Sequence, residues 1–184
     1  MPRSSGALTG LVLALALTTA PATLRGATAQ AAVAERACDV RLNVADQDPA
    51  GLNVRATPGG AVIGVLKARD AWVQTHVVGQ AGDWMRIDRA VLYDDALADG
   101  EKTVFRGSGF VHVSKLSFEV LNPGAVVRGR PTETGPVVWR APLDEDHVPR
   151  AQLLGCDGAY AQVKVGQVTG WTRQFCSNQR TTCS

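Results

Sequence analysis

Three short motifs occur twice along this chain of 184 residues, in the same order, and this internal repeat restricts the architectures open to it. The pairs are Val54-Arg55-x-x-Pro58 with Val127-Arg128-x-x-Pro131, Gly82-x-Trp84-x-x-Ile87 with Gly158-x-Tyr160-x-x-Val163, and Gly109-Phe110-Val111 with Gly170-Trp171-Thr172. Each copy covers about 60 to 80 residues, the size of a small domain. The chain is therefore predicted to contain two small units of one fold.

Apolar and polar side chains alternate in the stretches between clusters of Gly, Pro and Asp. Alternation in short runs indicates half-buried β-strands, and such runs occur at 52–55, 84–87 and 160–165. Gly166-Gln167 stands between two runs and has the composition of a two-residue hairpin turn with Gly first. Helical periodicity is confined to residues 90–98. These patterns predict an all-β protein.

The two predicted units cover residues 38–120 and 125–184, and the turn cluster Asn122-Pro123-Gly124 separates them. The first unit carries an insertion at 89–106, where the second has only the short turn at Gly166. Because inserted loops carry function more often than scaffold strands do, the insertion is a candidate binding element. A neutral surface extension is the alternative.

Residues 1–31 have the layout of a secretory signal peptide. A positive start at Arg3 precedes an apolar run at 8–17, and Ala29-Gln30-Ala31 offers small residues to a signal peptidase. We predict cleavage after Ala31 and a periplasmic or secreted protein that has no membrane attachment afterwards, because the apolar run is short for a membrane anchor. A disordered Ala-rich tail and an uncleaved anchor are the alternatives.

Charge in the remaining chain is balanced. The full chain has a formal net charge of +2, and the predicted leader contains Arg3 and Arg25 but no acid. A balanced chain with no basic run argues against nucleic acid and against an anionic membrane surface as partners.

Four cysteines, Cys38, Cys156, Cys176 and Cys183, all follow the predicted leader. An even number of cysteines in an exported chain predicts disulfides. We favour Cys156–Cys176 together with Cys38–Cys183, which would tie the two ends of the chain together. The rival arrangement joins Cys176 to Cys183 and Cys38 to Cys156. A zinc site is disfavoured because the closely spaced ligand pairs it requires are missing from the sequence.

Catalytic arrangements are scarce in the sequence. Cys156 with His147 or His112 is the one conceivable thiol–imidazole pair, and we favour a disulfide instead. The acidic run at 144–147 offers oxygen ligands for a cation, but we interpret it as a solvated loop. We therefore predict no catalytic residues, no metal and no cofactor.

The first unit resembles the bacterial SH3-like domain family, and the second resembles it less closely. Residues 48–60 look like the family's opening strand and turn, 62–66 like its next strand, 82–87 like its "G.W..V" strand, and 109–111 like its closing "GWV" with Phe in place of Trp. The second unit keeps Val127-Arg128 and Gly170-Trp171, and the Cys-bearing segment 175–183 is similar to the tails of some exported relatives. The resemblance covers most of residues 38–183.

Two tandem small SH3-like β-barrels are what this resemblance implies. Many family members are non-catalytic modules that hold cell-wall hydrolases on peptidoglycan or its peptides, and others stand alone in the periplasm. The resemblance therefore implies a binding module for peptidoglycan or its peptides. The alternative is a protein-interaction or inhibitory module that docks on another envelope or secreted protein. A small enzyme is the weakest hypothesis, and we expect a monomer.

Aromatic residues are the best candidates for ligand contact, because grooves of SH3-type folds use them for stacking. Trp72 begins a predicted strand, Tyr93 lies in the insertion, and Trp139 lies in a polar region. We predict these three as ligand-binding residues. The repeated aromatics are expected in the core instead: Trp84, Phe110, Tyr160 and Trp171.

Overall fold

The described part of the chain is almost entirely β-structure, as the alternation predicts. A computed structural model describes residues 34–68, 72–144, 148 and 150–177. The predicted leader, most of the acidic run and Cys183 lie outside these ranges. Within them, no helix is long and apolar enough to cross a membrane.

A seven-stranded antiparallel sheet contains the first copy of the repeat. Its strands are β1 (Arg36–Val44), β2 (Leu52–Arg55), β3 (Val62–Leu66), β4 (Trp72–Ala81), β5 (Trp84–Tyr93), β6 (Glu101–His112) and, after a 3-10 turn at Val113–Lys115, β7 (Leu116–Ser117). Their order across the sheet is β3-β2-β6-β5-β4-β1-β7. The first described strand, β1, is therefore inserted between β4 and β7.

A five-stranded antiparallel sheet contains the second copy. The strands of this half are β8 (Val120–Leu121), β9 (Val126–Arg128), β10 (Val137–Arg140), β11 (Gln152–Asp157), β12 (Tyr160–Val165), β13 (Val168–Thr172) and β14 (Phe175–Cys176). Five of them form the order β10-β9-β13-β12-β11, and β14 pairs with β8 as a separate ribbon. At the predicted turn, Val165 pairs with Val168 and Gly166 has φ of 58°, which confirms the Gly-first hairpin.

The internal repeat reappears in the strand order of the two sheets. The order β3-β2-β6-β5-β4 of the first sheet corresponds, strand for strand, to β10-β9-β13-β12-β11 of the second. Arg55 pairs with Phe110 in one sheet, and Arg128 pairs with Trp171 in the other. In both copies the arginine also donates to a carbonyl of the following turn, Arg55 Nη1 to Gly60 O at 2.7 Å and Arg128 Nη1 to Gly135 O at 2.9 Å. The repeated Val-Arg motif thus joins a sheet and stabilises a turn in each copy.

The insertion at 89–106 is the extended end of the β5–β6 hairpin. The helical periodicity at 90–98 is misleading, because β5 continues through Tyr93 and a turn leads to β6 at Glu101. Irregularities in register at Ile87/Arg89 and Ala90/Val91 break the strict alternation of this strand. The apolar spacing that suggests a helix is therefore the spacing of a bulged strand.

The core consists mainly of aliphatic residues, which corrects the expectation that the repeated aromatics fill it. Among the described residues, fully buried side chains include Leu42, Leu66, Met85 and Ile87. Of the repeated aromatics only Tyr160 is buried, whereas Trp84, Phe110 and Trp171 are half-buried. Trp84 alternates with the inward Met85 and packs edge-on against His112, with ring centroids 5.4 Å apart. A strand that turns Met85 and Ile87 inward must turn Trp84 outward.

A disulfide joins β1 to β11 and so links the two sheets. The bond connects Cys38 and Cys156, whose Cα atoms are 5.7 Å apart. The favoured pairings Cys156–Cys176 and Cys38–Cys183 are therefore wrong. The Cys38–Cys156 pair of the rival arrangement is confirmed. Cys176 is also disulfide-bonded, and Cys183 lies outside the described residues. The physical reason is that β1 lies beside the second sheet, which brings Cys38 to Cys156.

Backbone and side-chain hydrogen bonds reinforce this junction. Asp39 N donates to Gly158 O, and Gly158 N donates to Ala37 O, each at 2.8 Å. The buried Gln80 Oε1 accepts from Cys156 N at 2.8 Å. The described residues, from 34 to 177, belong to one compact unit.

Candidate functional site

A polar groove of about 450 Å³ lies on the seven-stranded sheet. Its lining includes three arginines, one histidine and one carboxylate: Arg41, Arg89, Arg106, His76 and Asp88. The side chains come from four adjacent strands, β1, β4, β5 and β6. The groove is therefore part of the sheet itself, and strand pairing sets its geometry.

Direct cross-strand pairing places the basic residues in one row. Arg41 is opposite His76, His76 is opposite Arg89, and Arg89 is opposite Arg106. Directly opposite residues project from the same face of a sheet, and adjacent strands are about 4.8 Å apart. We call these four residues the basic row. It extends roughly 14 Å across the sheet by that spacing.

Two carboxylates fix the imidazole at the centre of the basic row. His76 Nδ1 lies 2.8 Å from Asp88 Oδ1, and His76 Nε2 lies 3.0 Å from Asp39 Oδ1. A neutral imidazole donates to only one of these oxygens, whereas an imidazolium donates to both. Asp39 and Asp88 are thus occupied by His76. The guanidinium groups of Arg41, Arg89 and Arg106 have no hydrogen-bond or ion-pair partner within the described part of the chain.

Two of the predicted ligand-binding aromatics lie together beside the groove. Trp72 and Tyr93 are opposite each other on β4 and β5, and their rings stack with centroids 4.6 Å apart. Trp72 Nε1 donates to the Oδ1 of the fully buried Asn43 at 2.7 Å. This hydrogen bond fixes the indole, so the stacked pair is a preorganised surface.

The stacked pair and the basic row share one face of the sheet. Trp72, Gln74 and His76 alternate along β4, and all three are half-buried while Val73 and Thr75 are buried. Four residues along a strand span about 13 Å, so the aromatic end and the basic end of this face are about 13 Å apart.

Trp139, the third predicted aromatic, is in a different place. It lies on β10 of the five-stranded sheet, where it is partly buried against the core. The nearest comparable feature of that sheet is a cleft of about 380 Å³, lined by Arg128, Glu133, Tyr160 and Arg173 among others. There Arg173 Nη1 is paired with Glu133 Oε1 at 2.8 Å. The structure therefore brings Trp72 and Tyr93 together and leaves Trp139 apart.

The thiol–imidazole arrangement weighed from the sequence does not form at Cys156. This cysteine is in the disulfide with Cys38, and His112 Nδ1 contacts Ser114 Oγ at 2.8 Å, where it caps the 3-10 turn. His147 lies outside the described residues. Within the described ranges, no group of three or more His, Cys, Asp or Glu side chains has a metal-binding arrangement. Hydrogen bonding and stacking are the chemistry that the groove offers.

The basic row is the part of the site that sequence reasoning missed. Arg89 and Arg106 are the two ends of the predicted insertion, but nothing in the sequence pairs them with Arg41 or His76. The alternation of polar residues at Gln74 and His76 in a strand is the one local signal of a solvent-facing surface there. In comparisons with known proteins, no family model, no curated protein and no solved structure matches the chain.

Proposed function

We propose that this protein is a non-catalytic, exported binding module of the bacterial SH3-like type, with peptidoglycan or its peptides as ligand. One observation carries the proposal: the stacked Trp72–Tyr93 pair and the arginines of the basic row, which have no partner among the described residues, share one face of the seven-stranded sheet. Aromatic platforms bind sugars and peptides by stacking, and guanidinium groups bind carboxylates. Peptidoglycan peptides offer both apolar and carboxylate groups.

Two tandem SH3-like barrels are the finer fold in this proposal. Its support is the strand order that both sheets share, together with the equivalent roles of Arg55 and Arg128. The first barrel would be extended by β1, β7 and the long β5–β6 hairpin. The arginines of the groove lie on these additions, since Arg41 belongs to β1 and Arg89 and Arg106 belong to the hairpin.

Export is supported by the disulfides and by the signal-like leader. A disulfide persists in an oxidising compartment and is rare in a reducing cytosol. Cys38 and Cys156 are bonded, and no described cysteine is free.

Co-sedimentation of the oxidised full chain with purified peptidoglycan sacculi, across a salt series, tests the proposal. We expect binding that Trp72→Ala and Tyr93→Ala each reduce severalfold. Trp139→Ala is the matched aromatic variant on the other sheet, and it separates groove binding from binding by the second copy. Absence of co-sedimentation at every salt concentration would rule out the peptidoglycan ligand.

A protein partner is the second candidate, because one edge of the seven-stranded sheet exposes aliphatic side chains. On the edge strand β3, Val62, Ile63 and Val65 are 47%, 50% and 42% exposed. Val104 in the insertion is 37% exposed. Edge strands with exposed apolar residues are sites of pairing with other chains. If sacculi do not bind, Ile63→Lys tests this edge, with loss of a captured envelope protein as the expected result.

A further inference from the structure

The basic row has an unusual energetic feature, because it places cations opposite one another on neighbouring strands. Arg89 and Arg106 are direct cross-strand partners, and both are exposed. Like charges in this relationship destabilise a sheet. The usual remedy is an acidic partner, and none of the described residues pairs with either guanidinium. An anion bound between them would offset the repulsion.

The acids near the row do not supply that anion. Asp88 and Asp39 each contact a ring nitrogen of His76, at 2.8 Å and 3.0 Å. His76 is 32% exposed and lies between Arg41 and Arg89 in the row, and both carboxylates contact its ring and pair with no guanidinium group among the described residues. The arrangement holds three arginines in solvent at defined spacing along a groove.

We infer that the basic row binds the carboxylates of a peptide ligand, with Arg89 and Arg106 as the principal contacts and Arg41 as a third. Arginine recognises carboxylate in a bidentate geometry, and a row of guanidinium groups selects a ligand with more than one such group. A peptide is favoured over an inorganic oxyanion because the Trp72–Tyr93 pair lies on the same face, where an apolar side chain of the ligand would stack. The inference rests on the proposed function, since it names the groups by which such a ligand is held.

Calorimetry on the oxidised full chain tests the inference with three probes at low salt. The probes are the blocked peptide acetyl-Ala-Glu-Glu-Leu-amide, its uncharged counterpart acetyl-Ala-Gln-Gln-Leu-amide, and inorganic triphosphate. We expect the acidic peptide to bind at least tenfold more tightly than the amide peptide. Equal binding of the two peptides, or tighter binding of triphosphate than of the acidic peptide, would overturn the assignment to peptide carboxylates.

Variants of the row provide the matched comparison. Arg89→Ala and Arg106→Ala should each weaken acidic-peptide binding about fivefold, the loss of one exposed charge-assisted contact. Arg130→Ala, an exposed arginine of the second copy, should leave the dissociation constant unchanged. If Arg89→Ala and Arg106→Ala both bind the acidic peptide as tightly as the parent chain does, the row is not the site.

A stability measurement separates a binding role from a structural one. Because Arg89 and Arg106 repel each other, Arg89→Ala should raise the Tm of the free protein while weakening peptide binding. A lowered Tm would mean that the arginine supports the fold.

The sacculus assay distinguishes the failure of this inference from the failure of the proposed function. Sedimentation that depends on Trp72 but not on Arg89 refutes the arginine assignment alone, and no sedimentation of the parent chain refutes the peptidoglycan ligand.

Discussion

Val127 packs directly onto the backbone of Gly170, so that a Cβ atom at this glycine would lie 2.6 Å from the valine Cγ1 and 2.6 Å from Arg128 O. The first copy repeats the relationship, with the fully buried Val54 against Gly109. Both glycines precede the repeated aromatic, and both valines precede the repeated arginine. The repeat therefore preserves two things in both copies. One is the set of repeated side chains, and the other is a glycine that lets two strands approach closely.

Alanine at either glycine should overpack this contact. We expect Gly170→Ala and Gly109→Ala to lower the free energy of unfolding by about 1–3 kcal/mol each. Gly129→Ala is the control, because its Cβ would meet its nearest neighbour at an ordinary 3.4 Å, and it should change stability by less than about 0.5 kcal/mol. Urea unfolding measures all three. Equal losses of unfolding free energy for Gly129→Ala and Gly170→Ala would contradict the packing argument.

Gln80 should be among the most sensitive polar residues, because the oxygen of its side-chain amide links the two sheets. Its Oε1 accepts from Cys156 N and from Arg36 Nη2, and its Nε2 donates to Gly82 O at 2.8 Å. Gln80→Ala leaves the buried Cys156 N–H without an acceptor, which should cost about 2–3 kcal/mol in urea unfolding.

Gln167→Ala is the matched control for that experiment. Gln167 is exposed in the β12–β13 turn, so the free energy of unfolding of this variant should lie within about 0.5 kcal/mol of that of the parent chain. A Gln80 variant no less stable than this control would show that the junction does not depend on the amide.

The Cys38–Cys156 bond should make a large contribution to stability. It closes a separation of 118 residues, and in the chain-entropy account a loop of that length is worth about 5 kcal/mol. The double variant Cys38→Ala/Cys156→Ala should lose about that much in urea unfolding. Peptide mapping without reduction gives an independent check, and recovery of Cys38 linked to any cysteine other than Cys156 would refute the pairing.

The stacked aromatic pair should show a measurable coupling energy. In a double-mutant cycle of Trp72→Leu and Tyr93→Leu, we expect about 0.5–1.5 kcal/mol of interaction free energy from thermal or urea unfolding. Trp84→Leu with Tyr93→Leu is the uncoupled reference, since these residues lie at opposite ends of β5. Additivity in both cycles would mean that the rings do not contact each other in solution.

Much of the strand content follows from local alternation. The predicted runs at 52–55 and 160–165 coincide with β2 and β12, and the run at 84–87 is the beginning of β5. The same signal exists in β1, where Cys38, Val40 and Leu42 alternate as buried residues, so this strand too is within reach of sequence reasoning. The two-residue strands β7, β8 and β14 have no such signal, because pairing with distant partners defines them.

The groove and the disulfide pairing depend on tertiary contacts between distant parts of the chain, which explains why the sequence predicts them poorly. The row that joins Arg41 to Arg106 depends on register across four strands, and the irregularities near His76 and Ile87 shift that register. Single-residue shifts move a side chain to the opposite face, so alternation alone does not place these arginines together. The proximity of Trp72 and Tyr93 depends on the same pairing, whereas their chemical suitability is evident from their type.

The position of the Cys38–Cys156 bond also has a consequence for biosynthesis. The chain emerges from its N-terminus, and at typical rates of translation the segment between these cysteines takes on the order of ten seconds to appear. Cys156 is the first cysteine to follow Cys38, and Cys176 follows 20 residues later. Until Cys176 emerges, Cys156 is the one cysteine that can pair with Cys38 within the chain, so the first thiol that Cys38 meets is its native partner. Emergence in chain order therefore favours the observed pair, and refolding of the complete reduced chain loses this advantage.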